Sequence, residues 1–154
     1  MSEEQLIEVS LEQTHDYEFR VRFDGTAVPD LVTDETSPLG GDAGPNPSRM
    51  LLVGVANCLS ASLLFALRKF KNAPGKLSAR ARATTERNEQ GRWRIVHIAV
   101  DLQLADAAVA FEHVDRALAQ FEDFCIVTES VRQGIAVDVS VRDATGAVVH
   151  TSHA

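Results

Sequence analysis

Cysteine occurs only twice in this 154-residue chain, tryptophan and tyrosine once each, and basic residues fall short of acidic ones, 15 against 22. Two cysteines exclude a disulfide scaffold, which needs several bridges to stand in for a core; in a reducing compartment they point instead to buried, redox-active or metal-binding thiols. The net charge of −7 leaves no basic face for a phosphate backbone, which argues against nucleic acid as a partner. The opening Met-Ser-Glu-Glu-Gln lacks the positive start and apolar stretch of a secretory signal, so a cytoplasmic protein is expected. Repeats and low-complexity tracts are missing too. What the chain does have is a 45% hydrophobic share, enough for one domain over residues 1–154 with a core of its own.

The longest apolar stretch, residues 46–70, organises the rest. Pro47 suits a first helical position and Asn46 before it is an N-cap type. Arg68, Lys69 and Lys71 complement the carbonyl end, and Pro74-Gly75 closes the run. Met50, Leu51, Leu52, Val53, Val55, Leu59, Leu63, Leu64, Phe65 and Leu67 cover nearly the whole circumference, so a central helix buried by protein on most sides is expected. Asn57, Ser60 and Ser62 interrupt the run and Gly54, Ala56 and Ala61 suit close packing, which disfavours a membrane span.

Residues 1–15 are either a frayed end or an edge strand. Tyr17, Phe19, Val21 and Phe23 alternate with Glu18, Arg20 and Arg22, the period of a half-buried strand, and after the Asp24-Gly25 turn Leu31-Val32-Thr33 returns as its hairpin partner. Residues 34–46, rich in Gly and Pro, form a loop that has no Lys-Ser/Thr after its glycines and so is no phosphate cradle. Residues 76–86 and 93–104 alternate around a turn at 87–91 as a long antiparallel hairpin. Val109, Phe111, Val114, Leu118, Phe121 and Phe124 recur at steps of three and four, predicting one amphipathic helix over 105–124. Cys125 follows, then a short helix ended by Gly134, a strand over 135–141, a turn at 143–146 and a last edge at Val148-Val149. The fold class is therefore α+β.

Taken singly, Cys58 in mid-helix and Cys125 are small buried apolar side chains, and no Cys, His or carboxylate recurs at metal spacing. Their surroundings are more specific. The run Gly44-Pro45-Asn46-Pro47-Ser48-Arg49-Met50-Leu51-Leu52-Val53-Gly54-Val55-Ala56-Asn57-Cys58-Leu59, with Cys125 and Gly134-Ile135-Ala136-Val137 later, resembles the OsmC/Ohr family from about Tyr17 to Val141.

That resemblance implies antiparallel sheets packed around a long buried helix, an intertwined homodimer, and thiol-dependent reduction of organic hydroperoxides. It implies Cys58 as the thiolate that attacks the peroxide, Cys125 as the thiol that resolves the sulfenic acid, and an external dithiol as reductant, with no cofactor or metal. The alternative is a non-catalytic binding module or structural dimer of the same shape. The two sulfurs must meet, and because an apolar helix raises a thiol pKa, a cation is expected beside Cys58. The family's peroxidases carry Glu after the helix-opening proline, holding an Arg at the sulfur, and Pro after the second cysteine; this chain has Ser48 and Ile126. Arg49 either faces the thiol or lies on the surface, Glu35 is the carboxylate placed to substitute, and Asn57 and Arg20 complete the candidates around the pocket.

Overall fold

The computed structural model describes residues 3–135 and 137–153. The apolar run folds as one helix, α1 (Pro47–Lys69). Its start is the one its sequence marks: the Asn46 carboxamide oxygen accepts the Arg49 N–H at 2.9 Å and the Asn46 carbonyl accepts the Met50 N–H at 3.0 Å. Its stop comes earlier than Pro74-Gly75. Lys71 adopts a left-handed conformation (φ 63°), its N–H donates to the Arg68 carbonyl and the Asn72 N–H reaches back to Leu67, so a Schellman turn uses the last free carbonyls.

Two compact units divide the chain, residues 1–54 with 81–99 and residues 55–80 with 100–154; α1 and both strands of the central hairpin run from one into the other. The first unit holds a three-stranded antiparallel sheet, β1 (Val9–His15), β2 (Glu18–Phe23) and β3 (Leu31–Thr33), in that order. The open question at the N-terminus is thus settled as an edge strand from Val9, with a register slip between Gln13 and His15. Register puts Val9, Leu11, Phe19, Val21, Phe23 and Leu31 on one face and Arg20 and Arg22 on the other. Only Val21 is fully buried; Arg22 pairs with Glu12 at 3.1 Å in water.

The loop from β3 to α1 is organised by Asp34. Its buried carboxylate accepts N–H groups from Glu35 (2.8 Å), Gly41 (2.9 Å) and Ala43 (3.1 Å). Gly44 follows because its α-carbon lies so close to the Val32 carbonyl that a Cβ would collide with backbone.

The central hairpin pairs β4 (Ser78–Arg87) with β5 (Trp93–Gln103). In the second unit the core is Leu63, Ala66 and Leu67 of α1 against Ala117 of α2 (Val114–Gln120), ringed by Phe70, Leu77, Leu102, Leu104, Phe111 and Phe121. The single helix expected over 105–124 is instead a 3-10 turn at Ala108–Ala110, α2, and a second 3-10 turn at Phe121–Phe124. The cause is Asn72: its side chain donates to the Glu112 carbonyl (2.9 Å) and accepts the Glu112 N–H (2.8 Å), and His113 then turns left-handed (φ 52°). With both polar groups of Glu112 held from outside, a helical ladder has nothing to join there.

α3 (Ile126–Gln133) ends near Gly134, and β6 (Asp138–Arg142) and β7 (Val148–His153) form a last hairpin; the expected strand start at 135 lies outside β6, and Ala136 lies outside the described residues. Complete burial of α1 is not achieved within one chain. Val55, Leu59, Ser62, Leu63, Ala66 and Leu67 form a covered stripe, whereas Val53 and Phe65 remain 58% and 56% exposed. By length and composition α1 is apolar enough to cross a membrane, but its covered stripe is the core of a folded unit.

Asp34 generates a pH prediction. The N–H of Ala43 foremost, then those of Gly41 and Glu35 against the opposing effect of burial, hold its carboxyl below the ordinary range. A carboxyl lowered on folding stabilises the fold fully above the unfolded value, ~3.9, and the contribution fades as pH falls through the folded one. In urea unfolding at neutral and acidic pH, the wild type should lose more of its midpoint on acidification than Asp34→Asn. Equal losses would remove Asp34 from the acid response.

Candidate active site

The two cysteines come together within the second unit. Cys58 stands on α1 beside the buried stripe, half-buried, and Ser62 follows one turn later on the same side. Cys125 is fully buried and occupies the N-cap of α3 in an extended conformation, its carbonyl accepting the Glu129 N–H at 3.0 Å. The turn before it is fastened to α1: Phe124 packs edge-on to Phe65 with centroids 5.3 Å apart, and the Lys69 ammonium lies 5.5 Å from the Phe124 ring centroid. On its far side Arg132 bridges Glu122 (2.6 Å) and Glu129 (2.7 Å), joining that turn to α3.

So held, the Cys58 and Cys125 thiols lie near enough to shift one another, and the Thr128 hydroxyl lies 3.0 Å from Cys125 Sγ. No disulfide joins the two cysteines in this structure. Burial pushes the Cys58 thiol up, and the neighbouring Cys125 pushes it further, against weaker opposition from the N–H groups of Val127 and Thr128. Burial is the largest influence on Cys125 as well, yet its thiol ends lowered. Cys58, the Thr128 hydroxyl and N–H, and the Ser62 hydroxyl together outweigh desolvation. The donors cluster because Thr128 is the third residue of α3, where the N–H groups of a helix point outward unpaired and favour negative charge.

No cation among the described residues is one of the groups that shift Cys58, and its thiol ends raised, contrary to the expectation from the sequence. Among the described residues, Ser48, Arg49, Glu35, Asn57 and Arg20 are not among the groups that shift either thiol. Ser48 and Arg49 are exposed first-turn residues of α1, which resolves the choice left open for Arg49. Glu35 gives its backbone to the Asp34 loop, Asn57 points outward, and Arg20 lines a shallow cleft on the β1–β2 face with Ser10, Leu11, Glu12 and Arg22. Ser62 and Thr128 are the partners that reading the sequence overlooked. Their signal was spacing: four residues after one cysteine and three after the other, each polar at a position the pattern buries.

A long helix carrying one thiol, met by a second thiol at the head of a short helix and flanked by antiparallel hairpins, defines a two-thiol α+β protein. The family model for the OsmC-like protein matches residues 40–140, and the chain belongs to that family. Solved structures agree in fold. The OsmC-like protein of unknown function VCA0330 from Vibrio cholerae superposes with a TM-score of 0.65 at 12% identity, covering 84% of this chain and 94% of that one. An organic hydroperoxide resistance protein OsmC from Legionella pneumophila gives 0.64 at 11% identity, covering 85% and 92%. The organic hydroperoxide resistance protein OhrB of Bacillus subtilis gives 0.59 at 16%, covering 83% and 91%. No curated protein sequence matches the chain.

Thiols near enough to shift one another need little motion to join. A mild thiol oxidant should therefore link Cys58 to Cys125 within one chain, and peptide mapping should find that bridge before any intermolecular one. Prolonged oxidation that leaves both thiols free would contradict the contact.

Proposed function

We propose that the protein reduces organic hydroperoxides with its own thiols. Cys58, the more accessible sulfur, attacks the peroxide as a thiolate and becomes a sulfenic acid, Cys125 condenses with it to a disulfide, and an external dithiol restores the pair. The single observation that carries this reading is the contact between the two thiols at the head of α3. Two fold neighbours named as organic hydroperoxide resistance proteins support the choice of substrate. Such chemistry belongs in a reducing compartment, so we assign it to the cytoplasm. The purified protein should consume an organic hydroperoxide with a dithiol as reductant, and Cys58→Ser should lower the rate to that of dithiol alone. A variant as fast as its parent would overturn the mechanism.

We further propose that it works as a homodimer. Val53 and Phe65 of α1 and Val139, Val141, Val148 and Val149 of the last hairpin present apolar surface that their own chain leaves uncovered. Sedimentation equilibrium should give twice the chain mass, and Val53→Asp should move the mass toward that of one chain; a monomeric wild type would refute this.

A second reading has a specific observation behind it. Ser48 stands where the family's peroxidases carry a carboxylate, and no arginine acts on either sulfur among the described residues. A binding module that keeps the fold without turnover fits that departure, and it gains if Cys58 is alkylated no faster than free cysteine near neutral pH.

A further inference from the structure

The acidic surplus of the chain is unevenly spread. Residues 82–94, within the first unit, hold four arginines and two glutamates, whereas the rest of the chain holds eleven basic side chains against twenty acidic ones. The tip of the β4–β5 hairpin gathers three of those arginines round the one tryptophan of the sequence. Its turn is fixed by Asn88, whose carboxamide oxygen accepts the N–H groups of Gln90 (3.1 Å) and Arg92 (2.9 Å) and whose own N–H donates to the Arg92 carbonyl (2.9 Å). The Arg87 guanidinium lies over the Trp93 ring, 4.4 Å from its centroid, and also donates to the Gly91 carbonyl. The Arg94 guanidinium turns back to donate to the Trp93 carbonyl at 2.7 Å. Trp93 nonetheless remains 58% exposed, and Arg87, Arg92 and Arg94 are exposed with it. Among the described residues none of these three guanidinium groups has a carboxylate partner, although Glu86 and Glu89 are their neighbours in sequence.

Those features narrow the partner. A guanidinium fork matches a carboxylate, and three of them stand here without one. The indole is an apolar anchor already held by a cation, so little ordering is left to be done on binding. Tryptophan and arginine are also the residues that dominate binding at protein interfaces. A nucleic acid strand or an anionic membrane would extend past the tip and meet the acidic remainder of the chain, which repels it. A short acidic segment meets the tip alone. We propose that the tip of the β4–β5 hairpin docks an acidic peptide segment of another protein, with Arg87, Arg92 and Arg94 pairing its carboxylates and the exposed part of the Trp93 ring packing on an apolar side chain between them. The inference is independent of the peroxidase reading, since both cysteines belong to the other unit.

Because Trp93 is the only tryptophan, its fluorescence reports on this site and no other. The full-length protein is titrated with a short glutamate-rich peptide carrying a central leucine, with the same peptide bearing glutamine for glutamate, with a single-stranded oligothymidylate, and with vesicles of equal phosphatidylserine and phosphatidylcholine. The glutamate peptide should move Trp93 emission to shorter wavelength and saturate, and the glutamine peptide should not. Its affinity should fall severalfold as ionic strength rises from about 0.05 to about 0.3 M, because exposed ion pairs are screened. Arg92→Gln and Arg94→Gln should each weaken binding about threefold, and the two together about tenfold. Arg68→Gln, which removes the same charge from the second unit, should leave the affinity unchanged. The proposal is overturned if the glutamate peptide leaves the emission where it was, if the oligothymidylate or the vesicles bind as tightly at the same ionic strength, or if Arg68→Gln weakens binding as much as Arg92→Gln. It is overturned as well if dilution without any peptide shifts the emission, since a second copy of the chain would then cover the tip. Should circular dichroism show the double variant unfolded, the single variants decide by the same criteria.

Discussion

The approach of the Cys58 and Cys125 sulfurs is the constraint on which the candidate site turns. It requires the side of α1 next to the buried stripe to meet the first turn of α3, two helices joined by a long excursion through β4, β5 and α2. Three devices hold them there. Leu63, Ala66 and Leu67 pack on Ala117, Asn72 binds both polar groups of Glu112, and the Phe65–Phe124 contact with Lys69 above it fixes the residue just before Cys125. Apolar packing sets the approach of the elements, while the directional contacts set the rotation that aims one sulfur at the other.

Electrostatics at the pair is a contest between desolvation and donors. Burial disfavours a thiolate on either sulfur, and N–H groups at the head of α3 oppose it at both; the outcome differs because Cys125 also gathers the Thr128 and Ser62 hydroxyls. The head of α3 brings N–H groups to bear on both sulfurs. The dipoles are fixed by the backbone, so this source of stabilisation does not depend on the orientation of a long charged side chain.

The same helix explains why so much apolar surface remains open. A run apolar on every side can be covered on one stripe by its own chain and no further, given the length of the elements that follow. The valines of β6 and β7 share this condition, their hairpin being exposed along its whole length. A small domain that leaves this many β-branched and aromatic groups in water forgoes hydrophobic stabilisation which a further protein surface would supply.

Local chemistry made much of this legible in advance. Asn46 and Pro47 marked the head of α1, period-two alternation identified β2, β4 and β5, and the two cysteine blocks carried the family. Each of these depends on residues a few positions apart, so nearest neighbours suffice. The amphipathic pattern over 105–124 misled for the opposite reason: Asn72, forty positions away, captures the backbone at Glu112 and breaks the helix that periodicity describes. Ser62 and Thr128 were visible as polar residues one turn from each cysteine, but nothing local tells a buried hydroxyl whether its partner will be a carbonyl or a sulfur. The sequence by itself determined where α1 and the strands of the first two sheets lie and that two thiols exist. Only the tertiary structure decided that the two thiols lie near each other and that the Thr128 hydroxyl stands against Cys125, because desolvation and donor geometry arise where distant segments pack and have no counterpart along the chain.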